Sequence, residues 1–505
     1  MKTSILSKAL WTITLTSLAA AASIARAEVK LNSLFSDGAV LQRGVPVPVW
    51  GTAADGEKVT VKFLDQEVST TAKDGRWMVR LKPLKAGGPA TLSVAGKDNT
   101  VSITNVLVGE VWLCSGQSNM AFALSRASNA ADVIPGAADP QLRLFSVPHG
   151  ATDQPLDNVA GAWVESSPDT AAKFSAVGWF FGRDLRRALK VPVGLIHSSV
   201  GGTPAEAWTS RAGLEADPEL KEILERYAES LKNYNPEVAK RTRKKVVDNY
   251  KQAAAKAKAE GKPAPQAPRA ATAPRQSSSR PCGLYNGMIA PLVPYALAGA
   301  IWYQGEANSG RAAQYRKLFP AMIQDWRRVW GQGDFPFLFV QIAPHQKMTP
   351  EVREAQLLTW QKVPRTGMAV TADVGNETDI HPTQKEPVGD RLALAARAIA
   401  YGEKITYSGP VYEAMKSDGN RVILSFTHVG GGLMAKDGQL KGFTIAGADG
   451  NFVPAKAEID GNTVIVSAAS IEKPVAVRYG WASTPEVNLF NQEGLPATPF
   501  RTDAK

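Results

Sequence analysis

Five short apolar runs, Val106 to Cys114, Val193 to His197, Ala300 to Gln304, Phe337 to Ile342 and Met368 to Ala372, are separated by stretches with helical spacing. Strands buried on both faces need no polar alternation, so continuous apolar runs of this length read as the strands of a parallel sheet. Helices are expected between them at Val177 to Leu189, Glu215 to Lys232, Ala312 to Trp330 and Gly389 to Ala400, where apolar positions recur at mixed three and four spacing. The alternation predicts an α/β fold, a doubly wound parallel sheet over residues 106–404. No internal repeat is evident.

The flanks read differently. Residues 28–105 hold short alternating runs such as Val59 to Phe63 and Arg76 to Leu81, punctuated by Asp55-Gly56, Asp74-Gly75 and Gly87-Gly88. Residues 405–505 repeat that style with Val422 to Phe426, Gly442 to Ile445 and Val464 to Ser467. Both segments predict β-rich, sandwich-like domains beside the α/β one.

In an open α/β sheet, ligands collect at the carboxyl ends of the strands. Three segments fall there. Gly116-Gln117-Ser118-Asn119-Met120 follows the first run, Trp302-Tyr303-Gln304-Gly305-Glu306-Ala307-Asn308 overlaps and follows the third, and Asp379-Ile380-His381-Pro382 follows the run from Gly367 to Val374. An alcohol is a poor nucleophile at neutral pH and needs a base within hydrogen-bond reach. Ser118 is the expected nucleophile. His381, one of five histidines, is the expected base, because imidazole takes and returns a proton near neutrality. The bland alternative for Ser118 is a helix N-cap, and for His381 a loop histidine ahead of a proline.

The chain resembles the SGNH hydrolases, and within them the sialate O-acetylesterase-like carbohydrate esterases. The blocks that carry the resemblance, in the family's order, are GQSNM from Gly116, SVGGTPAEAW from Ser199, LYNGMIAPL from Leu284, WYQGEAN from Trp302 and DIHP from Asp379. The resemblance implies an SGNH, flavodoxin-like sheet and a serine esterase that removes O-acetyl groups from sialic acid or plant cell-wall oligosaccharides through an acetyl-enzyme. It implies oxyanion donors at the Ser118 amide, at Gly201 or Gly202, and at the Asn308 side chain. The wider pattern has an aspartate three residues before the histidine. Thr378 stands there, which leaves Asp379, Asp373 or a backbone carbonyl to orient His381. Gln117, Gln304 and Glu306 are expected to brace the site, with Glu306 alternatively facing substrate. Trp208 and Trp302 either stack on a sugar or fill the core. Rival readings are a carbohydrate-binding protein with a lapsed centre and a lipid or aryl esterase.

Composition narrows the setting. Lys2 and Lys8, the apolar stretch to about Ala22 and Ala25-Arg26-Ala27 read as a cleavable signal peptide over residues 1–27, so a periplasmic or secreted protein is expected. Only Cys114 and Cys282 occur, as one bridge or two buried thiols. Between Lys240 and Arg280, twelve Lys or Arg face only Asp248 and Glu260, a net +10 of the chain's +11. That charge belongs to one basic insertion of about residues 212–280, read as a solvated helix running into a Pro/Ala-rich loop. Without interleaved aromatics it argues against nucleic-acid binding. Without H-E-x-x-H, paired cysteines or a phosphate-cradling glycine loop, no metal or cofactor is expected. No stable membrane insertion is expected either.

Overall fold

Six strands run parallel through the middle of the molecule: β1 Thr100–Gly116, β2 Asp139–Ser146, β3 Val193–Ser199, β4 Gly299–Tyr303, β5 Phe337–Val340 and β6 Thr366–Ala369. Their order is β2-β3-β1-β4-β5-β6. The computed structural model describes residues 28–503 apart from 266 and 269–271. The expected signal segment lies outside the described residues. Each of the five apolar runs forms one of these strands, and β2 is an addition. Arg143, buried in the midst of β2, interrupts the apolar pattern that marks the others.

Helices cover both faces. The main ones are α1 Ala176–Leu189, α2 Pro218–Lys232, α3 Pro236–Ala259, α4 Ala312–Trp330, α5 Pro350–Lys362 and α6 Glu386–Ile399. Successive residues of a strand point to opposite faces, and the two cores divide accordingly. Trp112, Cys114, Ile301, Tyr303, Leu338 and Val340 pack toward α1 and α6. Leu113, Ala300, Trp302, Phe337 and Phe339 pack toward α4 and α5. In that second core Trp302 meets Trp208 and Trp326 edge to face at 6.0 and 5.7 Å. Truncating such a buried Trp to Ala costs about 3–5 kcal/mol.

The chain is mixed α/β, and its large sheet is itself mixed. β1 passes straight through the expected 105/106 junction. Its first half pairs antiparallel with Gly87–Ala95, and its second half carries β3 and β4. A separate three-stranded sheet, Lys30–Leu31, Val47–Thr52 and Arg76–Leu81, lies in the same N-terminal part. Beyond residue 405, two four-stranded sheets enclose a core of their own. This part is tied to α5 by Arg501, whose Nε donates to Glu354 Oε1 at 2.7 Å.

The basic insertion begins with α2, which docks Leu220 and Ile223. No residue of α3 is buried. Cys114 and Cys282 are both buried, unbonded thiols, which decides between the two alternatives. Burial pushes the Cys282 thiol up to about 12. Among the described residues, no helix is long and apolar enough to cross a membrane.

Candidate active site

β1, β3 and β4 lie side by side and end together, and the candidate side chains leave from those ends. Gly116 closes β1 with φ +139°, and a Cβ there would lie 2.2 Å from the Tyr303 carbonyl oxygen. Only glycine lets the backbone press that closely on β4. Gln117 then donates its amide to Tyr303 O at 2.9 Å, and the Met120 and Ala121 amides turn back onto Gln117 O, each at 2.9 Å. Within Gln117–Met120 the one residue that is not buried is Ser118.

His381 reaches Ser118 from a loop beyond β6. Its Nε2 lies 2.8 Å from Ser118 Oγ, within hydrogen-bond distance. Asp379 Oδ1 accepts the His381 backbone N–H at 2.9 Å and stands 3.6 Å from His381 Nδ1. The carboxylate therefore shapes the loop through the backbone and faces the ring at a distance beyond a direct hydrogen bond. Asn376 Oδ1 supports the same turn by accepting the Thr378 and Asp379 amides at 2.9 and 2.8 Å. Asp373 is held instead by Arg391, with both carboxylate oxygens bonded at 2.7 Å. His197 also meets a serine, Ser199 Oγ at 2.6 Å, but it sits within β3, where burial pulls its pKa down to about 4.

Gly201 and Asn308, the expected donors beside the Ser118 amide, stand beyond the ends of β3 and β4. A Cβ on Gly201 would lie 3.3 Å from the Ser118 Cβ, so this glycine keeps the β3 loop close to the serine. Gly202, with φ +73°, makes the turn itself. Among the described residues, neither the Ser118 amide nor the Gly201 amide donates a hydrogen bond. Asn308 is buried and fixed at both ends of its amide. Its Oδ1 accepts from Gln304 Nε2 at 2.7 Å and the Ala205 amide at 2.9 Å, and its Nδ2 donates to Glu206 Oε2 at 2.9 Å. That leaves the second Nδ2 hydrogen uncommitted. Gln117 Oε1 accepts the Ala307 amide at 3.2 Å.

Trp208 does not face the cleft. It is fully buried, donates from Nε1 to Thr203 Oγ1 at 2.9 Å and presents no ring face to a sugar. Apolar contact with Trp302 and Trp326 outweighs exposure for so large a ring. Glu306 is also buried, and desolvation raises its carboxyl pKa. It accepts from Asn119 Nδ2 at 2.6 Å.

Sequence reasoning missed Lys385. Its side chain is wholly buried, donates to Asn119 Oδ1 at 2.5 Å, and lies over the rings of Phe122 and Tyr303 at 4.9 and 5.3 Å. Burial pulls its pKa down to about 7, against the opposing pull of Glu306. Asn119 Nδ2 passes the contact on to the Ile380 carbonyl at 3.0 Å, next to His381. No local motif marks a lysine that acts across 266 residues of sequence.

Comparisons with known proteins place the chain in a family. Residues 108–242 and 276–398 match the family model for carbohydrate esterases described as sialic acid-specific acetylesterase. The chain is similar to the sialate O-acetylesterase of Mus musculus, 31% identical over 90% of both chains. It is 30% identical to the human sialate O-acetylesterase over 90% of this chain and 88% of the relative. Among solved structures, a carbohydrate acetylesterase from Xanthomonas citri superposes with a TM-score of 0.80 at 39% identity, covering 94% of this chain and 100% of that one. The fold, the site and these matches make the chain a carboxylic ester hydrolase. Within that class, it belongs to the sialic acid-specific acetylesterase family of carbohydrate esterases.

Proposed function

We propose that the protein is a serine esterase that removes O-acetyl groups from carbohydrates through an acetyl-enzyme. The observation that carries this reading is the 2.8 Å contact between Ser118 Oγ and His381 Nε2 at the carboxyl ends of parallel strands. Ser118 Oγ attacks the acetyl carbonyl while His381 takes its proton. The carbonyl oxygen becomes an oxyanion and turns to the Ser118 amide, the Gly201 amide and Asn308 Nδ2. Fixed donors of this kind are each worth about 2.7–4 kcal/mol of transition-state stabilisation. His381 returns the proton to the departing sugar hydroxyl. Water, deprotonated by the same imidazole, then releases acetate. Asp379 steadies the imidazolium by charge and fixes its loop through the backbone.

The same reading takes β3-β1-β4-β5-β6, order 2-1-3-4-5 among the five expected strands, as a doubly wound SGNH sheet. It assigns residues 106–404 to the esterase domain and the flanks, 28–105 and 405–505, to β-rich domains. Export rests on the leader pattern of residues 1–27.

Acetate release from O-acetylated sialosides, acetylated xylo-oligosaccharides and 4-nitrophenyl acetate tests the proposal. Wild type is expected to release acetate and Ser118→Ala to be inactive. A wild type silent on every ester, or a Ser118→Ala variant that keeps its turnover, sinks it.

A further inference from the structure

The two ends of the basic insertion converge beside the reactive serine. α2 forms one wall, the segment Pro274–Pro281 forms the other, and between them lies a cleft of about 410 Å³ that starts at Gly202 and Ala307. Gly202 follows Gly201, whose Cβ position is 3.3 Å from the Ser118 Cβ, and Ala307 precedes Asn308. The floor is Glu206, which binds Asn308 Nδ2 with one oxygen and Arg311 with the other at 2.6 Å. The Cys282 amide donates to Glu206 O at 2.9 Å and fixes the returning segment in place. The volume falls within the roughly 300–1,000 Å³ range of small-ligand sites.

The lining is the wrong chemistry for an acyl chain. Tyr227 is a half-exposed aromatic ring, and around it stand the hydroxyls of Ser230, Ser277 and Ser279 and the guanidinium of Arg226. Among the described residues, Arg226 has no ion-pair or hydrogen-bond partner. Ser230 and Ser279 donate to the Tyr227 and Gly202 carbonyls and offer lone pairs, whereas Ser277 keeps its hydrogen. One amphipathic ring amid a guanidinium donor and serine hydroxyls matches a pyranose, which has an apolar C–H face and a rim of hydroxyls.

We propose that this cleft is a glycosyl subsite that holds the sugar unit next to the acetylated one, so that the preferred substrate is an oligosaccharide chain and not a free acetylated monosaccharide. The subsite rests on the esterase reading above. Tyr227 stacks on the second ring, Arg226 and the serines bind its hydroxyls, and the insertion serves as the wall that makes chain recognition possible.

The test compares kcat/KM for paired probes: acetylated xylotetraose against acetylated methyl xyloside, and O-acetylated sialyllactose against free O-acetylated sialic acid. In at least one pair the wild type is expected to favour the chain by about tenfold, through KM, as one well-packed aromatic contact allows. Tyr227→Ala is expected to bring that ratio close to one, Arg226→Ala to lower it, and Tyr227→Phe to keep it. A chain-to-monosaccharide ratio near one for wild type in both pairs overturns the subsite, as does a ratio that Tyr227→Ala leaves intact. Activity on 4-nitrophenyl acetate separates the two failures, because an enzyme active there with flat ratios loses only the subsite. An enzyme silent on all probes loses the esterase reading as well.

Discussion

The two halves of the site are held in different ways. Ser118, Gly201 and Asn308 stand at or just past the ends of β1, β3 and β4, where sheet register and backbone hydrogen bonds place them. His381 and Asp379 stand on a loop whose ordering comes from side chains: Asp379 and Asn376 within the loop, and Lys385 through Asn119 behind it. The strand-end half uses distant charges only at Asn308, which Glu206 holds. The loop half depends on them, because a segment without ladder hydrogen bonds keeps its shape only where side chains over-determine it. Mutations should therefore act as loss of chemistry on one side and as loss of position on the other.

The largest effect is expected from His381→Ala, since removing the base from a serine–histidine pair costs on the order of 10⁴- to 10⁶-fold in kcat. Steady-state turnover of 4-nitrophenyl acetate measures it, and a loss below a hundredfold would transfer the base role elsewhere. Next comes Asn308→Ala, with kcat lower by about 10²- to 10³-fold for one lost oxyanion donor. This variant should also unfold more easily, because Gln304 Nε2 loses its 2.7 Å acceptor and Glu206 one of its donors. Thermal denaturation beside the kinetics separates the two losses. An unchanged kcat would remove Asn308 from the oxyanion hole and weaken the picture of a strand-end half that carries the chemistry.

The same division explains what could be read in the sequence. A serine that must leave a strand end beside another strand needs Gly116, and that requirement is local, so the block around Ser118 stands out. The central strands are legible because burial on both faces demands unbroken apolar runs. α5 is not legible: its buried face carries Arg353, Glu354, Gln356 and Thr359, so no apolar period announces it. β2 is hidden by its buried Arg143 for a similar reason. Trp208 offered two readings, and only packing against Trp302 separates core from sugar platform. Lys385 lies four residues before the expected helix at Gly389, and nothing around it in the sequence singles it out. Its role rests on the rings of Phe122 and Tyr303 and on Asn119, which come together only in three dimensions.

Lys385→Met probes the loop half without changing its volume much. The variant removes the donor to Asn119 Oδ1, and an unsatisfied buried acceptor costs about 1–3 kcal/mol. If that cost is felt in the transition state, kcat falls about tenfold to a hundredfold. Stability carries a second signature. In the folded chain Lys385 releases its proton near pH 7, whereas unfolded it would hold the proton to about 10.5. The unfolded state binds more protons between those values, so this group makes stability rise with pH across that window. Lys385→Met should flatten that rise in urea titrations repeated from pH 7 to pH 10. A variant with wild-type kcat and an unaltered pH slope would mean that Lys385 only fills space.

The smallest effect should come from Asp379→Asn, and it is the sharpest test of how the loop works. The amide oxygen of asparagine can still accept the His381 backbone N–H, so the loop keeps its shape. What disappears is a negative charge 3.6 Å from Nδ1. A carboxylate bonded directly to that nitrogen would be worth about 10⁴-fold in kcat, as in the fully formed triad. For one that stands beyond bonding distance and is largely exposed, water screens the interaction, and the expected loss is about tenfold or less. A loss near 10⁴-fold would mean that the carboxylate closes on Nδ1 during turnover, and the loop half would then take part in the chemistry as directly as the strand ends do.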